Sequence, residues 1–325
     1  MKAGGSAIGF AVLLTAACGT PAVEGPPVTV RIATINQDLG DALARVYNEQ
    51  IPGVQAAVAP ADKSNANLYA VEAGRSDVAF VRADLAYEAH SQGTPQHPHP
   101  HRRLRGIAVV GRGLLHVVVP SGSPVHTVAE LRGAPLGVAS AWVSSRDGTA
   151  SDANRGLYRR LLVAIGALHA DGIEPVPIQP AEVMDALDTR MVAAALSLTP
   201  SETPALSRVT HRRLDLRLLE IAPDVALQIR AQHPFFKPAL IPAGTYPGQE
   251  EDVRTVGVDT LLVCHESLAE EVVYSLVKTL FASLPELMET SEVMRTVDPD
   301  LAPATPIALH PGAARYYRER ELPHY

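Results

Sequence analysis

Cysteine is nearly absent from this sequence: Cys18 and Cys264 are the only two in 325 residues. That excludes a disulfide scaffold and a Cys-rich metal site. Positive charge is in short supply as well, with 28 Lys and Arg against 35 Asp and Glu, for a formal charge of −7. A nucleic-acid binder needs a basic surface for its phosphate contacts, so that class is out. Catalytic signatures are missing too. There is no Gly-x-Ser-x-Gly elbow, no His-Glu-x-x-His, no Walker loop and no Gly-x-Gly-x-x-Gly after a strand. Nothing recognisably brings a nucleophile and a base together, and the expectation is a protein that is not an enzyme and needs no cofactor. What is present is a hydrophobic content of 46% with 19% charged residues, enough to build a sizeable globular core.

The first residues read as an address. One positive charge at Lys2 precedes an apolar run from Ala3 to Ala17, too short to span a bilayer comfortably and suited to a signal-peptide core. The run ends Leu14-Thr15-Ala16-Ala17-Cys18-Gly19, which is similar to a bacterial lipobox with Cys18 as the lipidated residue. The alternative is ordinary cleavage near Ala17 with Cys18 a bystander. Residues 1–17 are thus expected to be a lipoprotein signal peptide, and residues 18–27, rich in Gly and Pro, a flexible tether. No other run is long enough to hold the chain in a membrane, so a lipid anchor on the extracytoplasmic side of a bacterial membrane would be its sole membrane attachment.

From Val28 the chain alternates strand and helix patterns. Val28 to Ala33 alternates as a strand, and Leu39 to Gln50 places Leu43, Val46 and Tyr47 on one helical face. Val54 to Pro60 is a second strand, Ser64 to Ala73 a helix stopped at Gly74, and Val78 to Val81 a buried strand. A similar order recurs as strand Leu136–Ala139, helix Ser151–Ala167, strand Val176–Ile178, helix Pro180–Thr189 and strand Met191–Leu198. Ile107 to Val119 is long enough to cross from one unit to the other, Val253 to Val263 is a candidate return strand, and a helix follows over Leu268–Leu284. Two such units imply an α/β protein with two lobes joined by crossover strands and a ligand cleft between them, the type II-like architecture of periplasmic binding proteins. Residues 28–112 with 258–325 would form one lobe and 113–257 the other.

Three blocks carry a more specific resemblance. Ile241-Pro-Ala-Gly-Thr-Tyr-Pro-Gly-Gln249 with Asp252-Val253, the ending Pro306-Ile-Ala-Leu-His-Pro-Gly-Ala-Ala-Arg-Tyr-Tyr-Arg-Glu319, and the stretch from Asn65-Ala-Asn-Leu68 through Glu72-Ala-Gly to Tyr87 resemble the TAXI family, the solute receptors of TRAP transporters. The resemblance implies extracytoplasmic capture of a small organic anion, of amino-acid or carboxylate type, and delivery to TRAP-type membrane transporter subunits driven by an ion gradient. It also implies that Ser64, Asn65 and Asn67 lie near the ligand.

Departures from that pattern bear on the site. Where the family has a Gly-rich, Tyr-containing loop after its first strand, this chain has Ala33-Thr-Ile-Asn36-Gln37-Asp38-Leu-Gly40. Backbone donors at a helix start are thereby replaced by side chains, with Asn36 and Gln37 as candidate ligand contacts. Asp38 could repel a carboxylate, pair with an ammonium group, or cap the helix, and capping is the reading preferred here. Arg82 stands where the family commonly has Gln. At the carboxyl end of a strand it either clamps a carboxylate or forms an internal salt bridge with Asp84 or Asp38. In the second unit, Ser140 to Thr149 occupies the place of the family's anion loop. Ser144, Ser145, Arg146 and Thr149 are candidate anion contacts there, with the sole tryptophan, Trp142, as a cover for an apolar part of the ligand. Such residues also serve as caps and turns. Ser197 to Glu202 is a weaker candidate loop, and Tyr246 would either enter the cleft or brace the hinge, bracing being preferred.

His97-Pro-His-Pro-His101 has the spacing of a metal-binding run, but no carboxylate or Cys accompanies it in sequence, and it reads as a surface loop with no metal. The altered first loop leaves one competing function open: a ligand-sensing or assembly lipoprotein with the same fold and no transport role.

Overall fold

The computed structural model describes residues 26–60, 64–94, 97–139, 152–165, 175–179, 182–199, 215–246 and 248–321. Its first part is a run of alternating strands and helices: β1 (Val28–Thr34), α1 (Gln37–Gln50), β2 (Val54–Pro60), α2 (Ser64–Glu72), β3 (Val78–Arg82) and α3 (Ala83–Gln92). β1 lies parallel to both β2 and β3. Helix α1 forms where the sequence places Leu39, Leu43, Val46 and Tyr47 on one stripe, and all four are buried. Its cap differs from the expectation. Asn36, rather than Asp38, is the N-cap, and its side-chain oxygen accepts the Leu39 N–H at 3.1 Å. Asp38 sits in the first turn, where a negative charge suits the helix dipole. Helix α3 follows β3 with no loop, and the apolar periodicity alone did not reveal it.

The second run contains β4 (Leu104–Pro120), a 3-10 turn over Val128–Leu131, β5 (Leu136–Ala139), α4 (Asp152–Ala164), β6 (Val176–Ile178), α5 (Val183–Asp188) and β7 (Ala194–Thr199). β5 is parallel to β6 and β7. β7 starts three residues later than its apolar pattern suggests, because Arg190 turns the chain with φ 58° and Val192 N–H is still bonded to Ala186 O. The chain continues through β8 (Leu216–Leu218), α6 (Pro223–Gln232), β9 (Phe236–Ile241), β10 (Val253–His265), α7 (Glu270–Ala282), α8 (Leu284–Thr290), α9 (Glu292–Arg295) and α10 (Pro311–Glu321). The single helix expected over Leu268–Leu284 ends at Ser283. Pro285, in the first turn of α8, has no N–H to continue the ladder and starts a new helix instead.

Among the described residues ten strands share one sheet, ordered β2-β1-β3-β10-β4-β7-β5-β6, with β8 on β4 and β9 on β10. β4 and β10 run antiparallel to each other from Leu104↔His265 to Leu114↔Gly257. Alternation along β10 divides the core: Leu261 and Val263 pack with α2, α3 and α4, while Leu262 and Cys264 pack with α1, α7, α8 and α10. The first of these layers continues without a break from Leu68 and Val71 to Leu157, Leu161 and Leu196, tying both parallel runs to one apolar face. Among the described residues no helix is long and apolar enough to cross a membrane.

Candidate functional site

The two long strands exchange partners at one place. β10 leaves β9 at Val258↔Phe236 and takes up β3 at Thr260↔Arg82. β4 takes up β7 at Leu114↔Thr199. The carboxyl ends of β3 and β7 therefore reach the same junction from opposite runs, and open α/β sheets bind ligands beyond such ends. A register shift between Thr260 and Leu261 bends the crossing strands here. Gly111 stands beside that shift and admits α9 closely: a Cβ there would lie 2.4 Å from Val293 Cγ1.

Arg82 and Asp84, both buried, form a two-point ion pair at the end of β3, Nε to Oδ1 at 2.6 Å and Nη2 to Oδ2 at 2.8 Å. Burial by itself pushes the Arg82 guanidinium down, and the Asp84 carboxylate more than reverses this, so Arg82 stays charged. Of the two roles the sequence left open, the internal bridge is formed, and its partner is Asp84. Nearby on α2, the buried Asn67 donates from Nδ2 to Phe80 O at 2.9 Å, while its Oδ1 has no partner among the described residues. The other first-run candidates lie apart from this pair in their bonding. Asn36 caps α1, and Gln37 donates to the Asp41 carboxylate on the exposed side of α1. Ser64 and Asn65 open α2, and their side chains lie outside the described residues, as do Trp142, Ser144, Ser145, Arg146, Thr149 and Cys18.

Three residues at the junction escaped the sequence reading. Asp259 on β10 is 1% exposed and receives Arg112 Nε from β4 at 2.6 Å and Lys237 Nζ from β9 at 2.6 Å. The Arg112 main chain is fixed as well, its N–H donating to Thr296 Oγ1 at 3.0 Å. A cavity of about 140 Å3 opens beside Arg112, lined by Val109, Leu114, Asp259, Thr296, Asp298 and Leu301 among others. The signal was present in Val256-Gly-Val-Asp-Thr-Leu-Leu-Val263, where one carboxylate interrupts an otherwise apolar strand and must find a partner.

Tyr246 reaches β4. Its hydroxyl lies 2.9 Å from Nε2 of His116, a fully buried residue of β4. His116 Nδ1 is 3.0 Å from Leu114 O, which can only accept, and this assigns the proton to Nδ1 and makes Nε2 the acceptor of the Tyr246 hydroxyl. On the opposite face, Arg160 of α4 pairs with Glu88 of α3 at 2.7 Å, and Tyr87 of α3 packs against Phe235 with ring centroids 5.9 Å apart. Desolvation raises the Glu88 carboxyl against the opposing pull of Arg160.

The histidine run folds back onto α2. His97 meets the Tyr69 ring edge-on at 5.6 Å, and His101 Nδ1 contacts the Glu72 carboxylate, a neighbour that the sequence spacing did not reveal. Burial pushes Glu72 up to about 7 and holds His101 below the usual imidazole range. Among the described residues no group of three or more His, Cys, Asp or Glu is arranged to hold a metal ion.

Comparison with solved structures finds similar molecules at low identity. XAC2383 from Xanthomonas citri bound to chloride ion is 13% identical over 90% of this chain and 99% of its own, with a TM-score of 0.51. The same protein bound to ATP matches at 14% identity over the same shares, again with a TM-score of 0.51. The periplasmic aliphatic sulphonate binding protein SsuA from Escherichia coli is 15% identical over 91% of this chain and 94% of its own, with a TM-score of 0.46. The fold is a mixed α/β fold shared with XAC2383. A family model described as the NMT1-like family matches residues 38–320, and the chain belongs to that family.

Proposed function

We propose that this protein is an extracytoplasmic solute-binding receptor that captures a small organic anion and delivers it to a membrane transporter. The observation that carries this reading is the junction where β4 and β10 cross between two parallel α/β runs, with the charged residues Arg82, Arg112 and Lys237 gathered around the strand ends. Two long antiparallel crossing strands form the kind of hinge about which such halves close on a ligand. An anion is favoured because the junction supplies guanidinium and ammonium groups, which hold carboxylates by charge-assisted hydrogen bonds. That XAC2383, a molecule of this fold, has been captured with chloride and with ATP is in keeping with an anionic ligand. The Ile241–Gln249 and Pro306–Glu319 blocks favour a TRAP transporter of the TAXI kind as the partner, and the Leu14–Gly19 pattern favours anchoring through a lipid on Cys18.

A thermal-shift screen of the purified protein tests the reading. The panel holds amino acids, monocarboxylates, dicarboxylates, 2-oxo acids and sugars. A ligand at about 100 times its Kd stabilises the fold by roughly 2.7 kcal/mol, a readable shift. A carboxylate or amino-acid hit is expected. A flat response across the panel, from folded protein shown by mass spectrometry to carry no ligand through purification, moves the reading to a lipoprotein with a sensing or assembly role.

A further inference from the structure

Resting on the receptor reading, we infer that the cavity beside Arg112 is the seat of the ligand, and that it takes a short-chain zwitterion of the α-amino acid type. Arg82, the guanidinium singled out by sequence, already gives Nε and Nη2 to Asp84. Arg112 is differently placed. Among the described residues only its Nε and its main-chain N–H are hydrogen-bonded. Asp259 therefore fixes the plane of the guanidinium and leaves the two Nη groups as a fork of donors beside the cavity. The geometry is that of a buried carboxylate orienting an arginine for a third group.

Charge balance points the same way. Asp259 is one carboxylate shared by two cations, Arg112 and Lys237, and Asp298 at the opening is a second carboxylate, so the site as a whole is neutral. A neutral site with the Arg112 fork on one side and the Asp298 carboxylate on the other favours a zwitterion over a simple anion. The walls set the rest of the chemistry. Val109 and Leu114 are buried and apolar, whereas Leu301 and Asp298 are exposed residues at the opening. A carboxylate on the Arg112 fork, a short aliphatic side chain against Val109, Leu114 and Leu301, and an ammonium group toward Asp298 match the charged and apolar walls of the space. The volume of about 140 Å3 is close to that of cavities that admit benzene, so a side chain of one to three carbons fits. A second carboxylate would meet Asp298, which disfavours dicarboxylates.

Titration calorimetry with the purified protein tests this, using L-alanine, L-2-aminobutyrate, butyrate, butylamine and succinate as probes. The expected result is binding of alanine and 2-aminobutyrate, weaker binding of butyrate, and no heat from butylamine or succinate. Arg112→Gln should weaken 2-aminobutyrate by about 10- to 100-fold, the loss of charge-assisted hydrogen bonds. Leu301→Trp, which fills the opening without touching the ion cluster, should abolish binding and carries the test if Arg112→Gln does not fold. Arg254→Gln, in an exposed pair with Glu220 away from the cavity, should bind as the parent does. Undiminished 2-aminobutyrate binding in both Arg112→Gln and Leu301→Trp overturns the assignment of the cavity while leaving the receptor reading intact. Silence with alanine and 2-aminobutyrate alongside heat from succinate overturns the ligand class and again spares the receptor. Silence with these probes and throughout the broad thermal-shift panel overturns both.

Discussion

The aliphatic stem of Arg112 lies directly over Gly257, where a Cβ would stand 2.9 Å from its Cδ and 3.0 Å from its Cγ. Arg112 stands directly opposite Asp259 in the pairing of β4 with β10, and the bare glycine two residues before Asp259 leaves room for the arginine stem. Gly257→Ala adds a methyl group that the stem must escape. The fold should lose about 1–3 kcal/mol, as overpacked interiors do, and the Arg112–Asp259 bond should lengthen. Urea denaturation and a crystal structure of the variant check both; an unchanged midpoint with Arg112 in place would show that the stem has room to spare.

The Arg82–Asp84 pair sits away from solvent, and the two ways of removing it should differ. Asp84→Asn leaves a buried guanidinium without its counter-charge and is expected to destabilise by about 3–5 kcal/mol. The double variant Arg82→Met with Asp84→Leu removes both charges and should recover most of that loss. Denaturant midpoints of the two variants decide the matter, and equal losses would mean that the pair acts through packing alone.

Glu72 and His101 give stability a pH dependence of definite sign. A carboxyl raised to about 7 from 4.5 binds its proton more tightly in the fold than in the unfolded chain. Its stabilising contribution is therefore present at low pH and is lost as pH rises through that interval. His101, held low by burial, acts in the opposite sense below 6.5, where the unfolded chain takes up the proton first. Glu72→Gln keeps a side chain of the same size at His101 and removes the first effect. Urea midpoints at pH 5 and pH 8 should fall for the parent relative to the variant as pH increases; parallel profiles would contradict the raised carboxyl.

Tyr246→Phe removes the hydroxyl whose hydrogen bond His116 Nε2 accepts. A loss of about 1–3 kcal/mol is expected. Nitrogen NMR of the histidine ring should show the Nδ1–H form in the parent and a shift of the Nε2 resonance in the variant. If the parent ring carries its proton on Nε2, the bond runs the other way and the tyrosine oxygen is the acceptor.

Much of the α/β order was legible because period and burial are local properties. The alternation in Val28–Ala33, the apolar run Val78–Val81 and the stripe through Leu43, Val46 and Tyr47 each announce an element within a few residues. Of the elements that went unseen, β8 is too short for a period, α3 is joined to its neighbour without a break, and α6, β9 and α10 each bury only two or three side chains or glycines. Ser283 and Pro285 show the limit of pattern reading. The apolar stripe runs on past the position where a missing N–H ends the helix.

The candidate site was less legible, because side-chain partners are chosen across the chain. Sequence pointed to Arg82 as a free clamp or a bridge, and folding placed Asp84 within 2.6 Å of it. The carboxylate missing from the histidine run was supplied by Glu72 from a neighbouring helix.

By itself the sequence determined the class of fold, the order of most of its strands and helices, and the absence of the basic surface, cysteine framework and catalytic signatures that would have marked other kinds of protein. Those follow from composition and from periods of two and about three and a half residues, which need no knowledge of distant neighbours. Only the tertiary structure decided which carboxylate each arginine meets. It brings Arg112, Lys237 and Asp259 from three strands to one point, and a charge pays its desolvation only where the fold sets a counter-charge beside it.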